Sequence, residues 1–191
     1  MYNRLPKENK ITFEEFLDIE SKSDKLMEFI NGKVYLQASP NTFHQRISRK
    51  ISTIFDVYFS NKEGEPFTAP YDIILKSEKE TSKNKVIPDL SVICDKAGLN
   101  EKNYLGVPTL IVEILSPSTA WIDISKKLEL YQSFGVKEYW IISPKNNNAQ
   151  IFNLNEENFY GEPTVYYKDD IAKSSIFSNL NVSLKEIFKN S

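Results

Sequence analysis

The sequence predicts an α/β (α+β) fold in one domain spanning residues 1–191, and three observations predict it. A chain of 191 residues is long enough for one sizeable core and does not need a second. Strand-like apolar runs alternate with stretches of helical periodicity, with no internal repeat, low-complexity tract or interdomain linker between them. The stretch from Val107 to Ile142 is an apolar strand, a Ser-Pro-Ser turn, an amphipathic helix and a second apolar strand. That strand carries one carboxylate, Glu113, in mid-run.

Composition narrows the setting. One cysteine, Cys94, excludes an internal disulfide and a multi-cysteine zinc site. The start MYNRLPKENK lacks the apolar core of a signal peptide and no run could span a membrane, so the expected compartment is the cytoplasm. A formal net charge of −2 neither supports nor excludes a nucleic-acid partner. The densest basic run, Lys76 to Lys85, is interleaved with Glu and is read first as a solvated hairpin loop.

Taken in order, Thr12 and Glu15 form a capping box ahead of Phe13, Phe16 and Leu17, predicting a helix from about Phe13 to Ile19. Asn31-Gly32, suited to a type I′ turn, joins LMEFI to KVYLQ as a hairpin. There Glu28 shares the parity of Leu26 and Ile30, either as a third carboxylate on a buried face or in an edge-strand salt bridge. Apolar positions from Phe43 to Tyr58 recur at helical spacing, predicting a long helix over Thr42 to Phe59. His44 borders its apolar face, as a hydrogen-bonded core-edge histidine or a substrate contact. Strands are predicted at Tyr71 to Lys76, Ile87 to Cys94, Thr109 to Leu115, Glu138 to Ser143 and Ala149 to Leu154. An edge strand, Thr164 to Tyr167, follows, and Ser183 with Glu186 caps a final helix, LKEIFK.

An isolated carboxylate in a buried strand costs several kcal/mol unless paired or metal-bound. Asp89 interrupts VIPDLSVIC as Glu113 interrupts its own run, and neighbouring strands would bring the two acids together, most simply around a hard divalent cation. In the following helix, with Ile124 as the reference for the buried face, Leu128 and Tyr131 fall within about 40° and Lys127 about 60° to one side. Lys126 points nearly opposite, so Lys127 is the lysine that leans toward the sheet. Two readings stay open. Lys127 forms an ordinary ion pair with Asp123, or it stands beside a reacting phosphate while Asp89 and Glu113 hold the metal.

Pro88-Asp89, the segment Glu113-Ile114-Leu115-Ser116-Pro117-Ser118-Thr119, then Asp123, Lys127, Tyr131 and Gly135-Val136-x-Glu138-Tyr139-Trp140 resemble the Uma-two family of restriction-endonuclease-like domains. That family is a branch of the PD-(D/E)XK nuclease superfamily. The likeness extends to Glu28 with the Asn31-Gly32 hairpin and to Ser39-Pro40 with His44, and covers most of the chain. It implies a restriction-endonuclease-like core: a mixed central sheet flanked by helices, with an N-terminal helix and hairpin. It further implies Asp89 and Glu113 as ligands of Mg²⁺ or Mn²⁺, the backbone carbonyl of Ile114 as another ligand, and Glu28 as a supporting acid. The superfamily pattern places a lysine two residues after the second acid, where this chain has Leu115; Lys127 would take that role.

The function expected is metal-dependent endonucleolytic hydrolysis of phosphodiester bonds in DNA, with Asp89, Glu113 and Lys127 catalytic and His44 against the substrate. A nuclease cutting both strands would most simply be a homodimer. The alternative is a non-catalytic, dimeric interaction or regulatory module that keeps the fold. Tyr139 and Trp140 sit in an apolar run that reads as core strand rather than base-stacking platform, whereas Trp121 is a candidate for contact with DNA or a partner chain.

Overall fold

The computed structural model describes residues 10–78, 80–116 and 122–189, the side chain of Asp123 excepted. Helix α1 (Phe13–Ser21) starts at a two-way capping box: the Thr12 side chain accepts from the Glu15 amide, and the Glu15 carboxylate accepts from the Thr12 amide. Strands β1 (Met27–Ile30) and β2 (Lys33–Leu36) form the expected hairpin, with Asn31 and Gly32 at φ of 51° and 87°, as a type I′ turn requires. Helix α2 (Thr42–Phe59) is capped by the Asn41 side chain, which accepts from the His44 amide. Next come β3 (Glu65–Thr68), β4 (Asp72–Leu75), β5 (Asn84–Val86), β6 (Leu90–Ile93), β7 (Asn103–Gly106) and β8 (Leu110–Ile114). A π-helical segment, Ile122–Lys127, leads into α3 (Leu128–Phe134), which Gly135 ends at φ 89°. The remainder is β9 (Glu138–Ser143), β10 (Asn148–Asn153), β11 (Thr164–Tyr167), β12 (Ile171–Lys173), β13 (Asn181–Ser183) and α4 (Leu184–Phe188).

The strands divide between two large sheets rather than one. The six-stranded sheet runs β11-β10-β9-β8-β6-β3, the five-stranded sheet β2-β1-β5-β4-β7, and β12-β13 is a separate hairpin. Within the six-stranded sheet β8 is parallel to β9 and antiparallel to β6, so the sheet is mixed as expected. One core lies between its outer face and α2 and α4, through Ile47, Ile51, Phe55, Val112, Trp140 and Ile187. A second lies between its inner face, α3 and the five-stranded sheet, through Ile111, Tyr139, Ile141, Tyr131, Ile73 and Tyr104. Helix α1 covers the far face of the five-stranded sheet by packing Phe16 on Met27 and Phe29. From one side to the other the order is α2 and α4, sheet, α3 and sheet, α1.

Several local expectations change. Strand β1 is interior, flanked by β2 and β5, so Glu28 is not on an edge. Lys85 lies at the end of the basic run yet is buried in β5, paired with Glu20 and with Asp72 at 2.8 Å. This also gives Asp72 a strand-end partner. Ser183 precedes α4 without a side-chain capping bond; the Leu184 amide donates to the Asp170 carbonyl instead. Ile124 is 46 % exposed and is not part of the buried face. Its segment is π-helical, and a wider helix turns through less than the 100° per residue on which that reference was built.

Candidate active site

Strand β8 carries Glu113 on the face it shares with Ile111, toward α3. Leu90 of β6 lies opposite Val112, so Asp89, one residue earlier, arrives beside the end of β8. The Asp89 side chain is fixed by the chain it abuts: the Ile114 amide donates to its Oδ2 at 2.7 Å. Its own carbonyl accepts from the Ala69 amide at 3.2 Å. His44, held in the first turn of α2, places Nε2 3.1 Å from Asp89 Oδ1 and 3.2 Å from Oδ2. Both side chains keep some solvent access, 12 % for His44 and 17 % for Asp89.

Deeper in, Lys127 is only 3 % exposed and stands between two acids from different sheets. Its Nζ donates to Glu113 Oε1 at 2.8 Å and lies 2.9 Å from Glu28 Oε1. The Tyr131 hydroxyl, one turn beyond Lys127, donates to the same Glu113 oxygen at 3.0 Å. Glu28 also accepts from the Ile87 amide at 2.8 Å, while Gln37 Nε2 donates to the Ile87 carbonyl at 2.7 Å. The main chain of Ile87, two residues before Asp89, is thereby held through both its N–H and its C=O. Burial first, and then the neighbouring Glu113 charge, hold the Tyr131 phenol well above its ordinary range, so it stays a donor.

Asp89, Glu113, Ile114, Lys127, Glu28 and His44 line one cavity of about 340 Å³. Glu28 and Glu113 face Lys127, and Asp89 faces His44 beside them. The donors are hard oxygens, which suit Mg²⁺ or Mn²⁺. Among the described residues no cluster of three or more His, Cys, Asp or Glu has the geometry of a metal cage. Two carboxylates fit an ion that keeps waters and takes further oxygens from a phosphate, as Mg²⁺ does.

All six positions are legible as candidates in the sequence, and the fold brings them to the one cavity. Tyr139 and Trp140 are fully buried in the two cores and offer no stacking surface. Trp121 and the side chain of Asp123, the alternative partner of Lys127, lie outside the described residues. Two contributors were missed. The sequence places Tyr131 on the apolar face and in the motif that carries the resemblance but gives it no role at the site, although its i+4 spacing from Lys127 puts both polar tips over one spot. Gln37 gave no signal, since its role depends on where the hairpin ends relative to Ile87.

This arrangement, two sheets meeting at a buried acid-and-lysine cluster, has the architecture of a nuclease fold. A crystal structure described as a "putative nuclease belonging to DUF820" from Anabaena variabilis ATCC 29413 superposes with a TM-score of 0.74 at 20 % identity, covering 93 % of this chain and 97 % of that one. The chain belongs to the Uma2 family, whose description is "Putative restriction endonuclease" and whose model matches residues 13–185. Two uncharacterised proteins of Synechocystis sp. (strain ATCC 27184 / PCC 6803 / Kazusa) are similar to it. The protein slr1290 is 27 % identical over 149 residues, 78 % of this chain and 76 % of that protein. The protein sll1609 is 25 % identical over 135 residues, 69 % and 74 % of the respective chains.

Proposed function

We propose that this protein is a metal-dependent nuclease that hydrolyses phosphodiester bonds of DNA in the cavity at the end of β8. The observation that carries this reading is the convergence of Asp89, Glu113 and buried Lys127, from three separate segments, on one cavity. Asp89 and Glu113 would hold Mg²⁺ or Mn²⁺, with the Ile114 carbonyl as a further donor and Glu28 in support. When bound, the ion would supply Lewis-acid stabilisation of phosphate charge and acidify a water. Lys127 fixes the Glu113 carboxylate and sets positive charge in a low-dielectric wall, where it opposes charge developing on the scissile group. Tyr131 keeps Glu113 turned toward Lys127, and His44 orients Asp89 at the cavity mouth, within reach of substrate. Cleavage of both duplex strands would require two such sites, most simply in a two-fold dimer.

One observation favours a second reading, a non-catalytic binding module. Glu113 already receives hydrogen bonds from Lys127 and Tyr131, so the fold satisfies its buried acid with protein groups. Calorimetric titration with Mn²⁺ separates the two, using the parent beside Asp89→Asn and Glu113→Gln variants shown to be folded by circular dichroism. Saturable binding in the parent that is lost in both variants, together with Mg²⁺-dependent cleavage of DNA that is lost in parallel, supports the nuclease. Parental Mn²⁺ affinity in both variants would sink it.

A further inference from the structure

The outer wall of the cavity is one side of α2, and it differs in charge from the floor. Ile47, Ile51, Phe55 and Phe59 turn the apolar side of this helix into the core. Gln45, Ser48, Arg49 and Ser52, at the i, i+3, i+4, i+7 spacing of one helical stripe, line the cavity. Arg46 and Arg49 are exposed and sit one turn apart. Lys50 is next to Arg49, its ammonium pinned by three main-chain carbonyls around the end of α4: Glu186 and Lys189, both at 2.7 Å, and Ile187 at 3.2 Å. The Lys50 ammonium is held below the ordinary lysine range, first by desolvation and then by the positive charge of Arg49; Lys189 and Arg46 add to this and Glu186 opposes it. Arg46, Arg49 and Lys189 therefore gather around Lys50, and Arg49 carries this positive charge into the cavity wall, in a chain whose net charge is −2.

We infer that the exposed side of α2, from the cavity-lining stripe round to Arg46, is a binding surface for the sugar-phosphate backbone of a nucleic-acid strand, with Arg46 outside the cavity and Arg49 in its wall contacting successive phosphates and leading the strand to the carboxylates. The inference rests on the nuclease reading of the cavity, and the charges supply its argument. A phosphodiester approaching Asp89, Glu113 and Glu28 meets repulsion, which Arg49 in the cavity wall and Arg46 one turn away on α2 offset before the reacting group enters. Ser48 and Ser52 add hydroxyl donors along the same stripe, suited to phosphate oxygens. Arginine's planar fork can hold a phosphate through two parallel hydrogen bonds, which orients the strand as well as attracting it.

The test is fluorescence anisotropy of a labelled oligonucleotide, single-stranded and as a duplex, with EDTA present so that no divalent ion takes part. An Arg46→Ala, Arg49→Ala double variant should bind at least one form about tenfold or more weakly at about 50 mM salt. The slope of log affinity against log salt should shrink by about 1.4 for the single strand or about 1.8 for the duplex, as expected for two lost phosphate contacts. Lys168→Ala, on the exposed turn after β11, should leave both unchanged. Should the double variant fold poorly by circular dichroism, Ser52→Asp, which adds repulsion on the same wall, should weaken binding instead. Parental affinity in the folded variants, loss of equal size in Lys168→Ala, or a parent that binds neither oligonucleotide would overturn the inference. The catalytic reading is judged separately by Mn²⁺ calorimetry: DNA binding that depends on the two arginines in a parent that binds no Mn²⁺ would leave this surface standing without the nuclease.

Discussion

A lysine as deeply buried as Lys127 is tolerable only because its neighbours are acids; Glu28 and Glu113 repay, by charge and hydrogen bonding, what its desolvation costs. Removing the cation alone leaves two carboxylates facing each other in low dielectric. Lys127→Met should therefore lower unfolding free energy by about 3–5 kcal/mol in urea denaturation, whereas combining it with Glu28→Gln and Glu113→Gln should recover most of the loss. Tyr131 and Tyr160 make a second prediction. Burial raises both phenols above the ordinary value, with Glu113 adding for Tyr131 and Glu138 for Tyr160, while in the unfolded chain they titrate near 10. Below that pH folded and unfolded states carry the same protons on these groups. Above it only the unfolded state sheds them, so stability falls by about 1.4 kcal/mol per pH unit for each tyrosine. Tyr131→Phe should flatten the alkaline limb of a stability-against-pH profile by one proton. At this scale much was legible, because a charge inside an apolar run demands a partner, and Asp89 and Glu113 both announced one. That Lys127 would join Glu28 as well as Glu113 was not, since nothing in linear spacing sets β1 against α3.

Local chemistry specified the elements where it was strong. The capping box, the Asn-Gly turn and the apolar periodicity of α2 each act within a few residues, and α1, the hairpin and α2 stand where they were expected. The hairpin also carries Glu28, so its turn bears on the site. At φ 87°, Gly32 has a conformation that a side chain resists, and a Cβ there would come within 2.9 Å of Lys10 Cβ. Gly32→Ala should cost about 1–2 kcal/mol in urea denaturation. Strands β3, β5, β7, β12 and β13 were missed because pairing rather than composition makes them strands. Pro66 lies inside β3, which suits only an edge, and β3 is the edge of its sheet. Strand β7 reads NYLG, too polar to alternate, yet it lies parallel to β4 in regular register. The π-helical stretch before α3 defeated the angular argument in its detail while leaving its conclusion, that Lys127 faces inward, in place. Helix α4 is too short to stand by itself, and Lys50 holds its last carbonyls in place of a C-terminal cap. Lys50→Met should fray its last turn, whose apolar side stays packed in the core, and lower stability by about 1 kcal/mol, read by the thermal midpoint.

For the whole molecule, the class was legible from the alternation of periods, but the division into two sheets was not: the same strands could have been placed in a single layer. Long-range pairing decided it, as with the parallel β8–β9 contact that brackets α3. The cluster around Lys127 ties the two sheets across their shared core, so they should lose structure together. Urea transitions followed by circular dichroism and by fluorescence should coincide in the parent and separate in Lys127→Met. Glu138 shows that buried acids in this fold do not all belong to the cavity. It accepts from Trp140 Nε1 at 2.6 Å and from the Ser175 amide and hydroxyl at 2.7 and 2.8 Å, which fastens the segment before α4 to β9. Glu138→Ala would leave the Trp140 indole and the Ser175 amide unmet, the Ser175 hydroxyl keeping Asn153 as an acceptor, and should rank among the more damaging single changes.

The main-chain bonds to the cavity acids have one further use. Ile87 donates its amide to Glu28 and Ile114 donates its amide to Asp89, so two isoleucine peptide groups are wired to the carboxylates themselves. In a sample labelled with ¹⁵N at isoleucine alone, those two resonances would move whenever a carboxylate gains a proton, an ion or a phosphate neighbour. The fold thus contains its own pair of spectroscopic probes, and occupancy of the cavity can be followed in solution before any substrate is known.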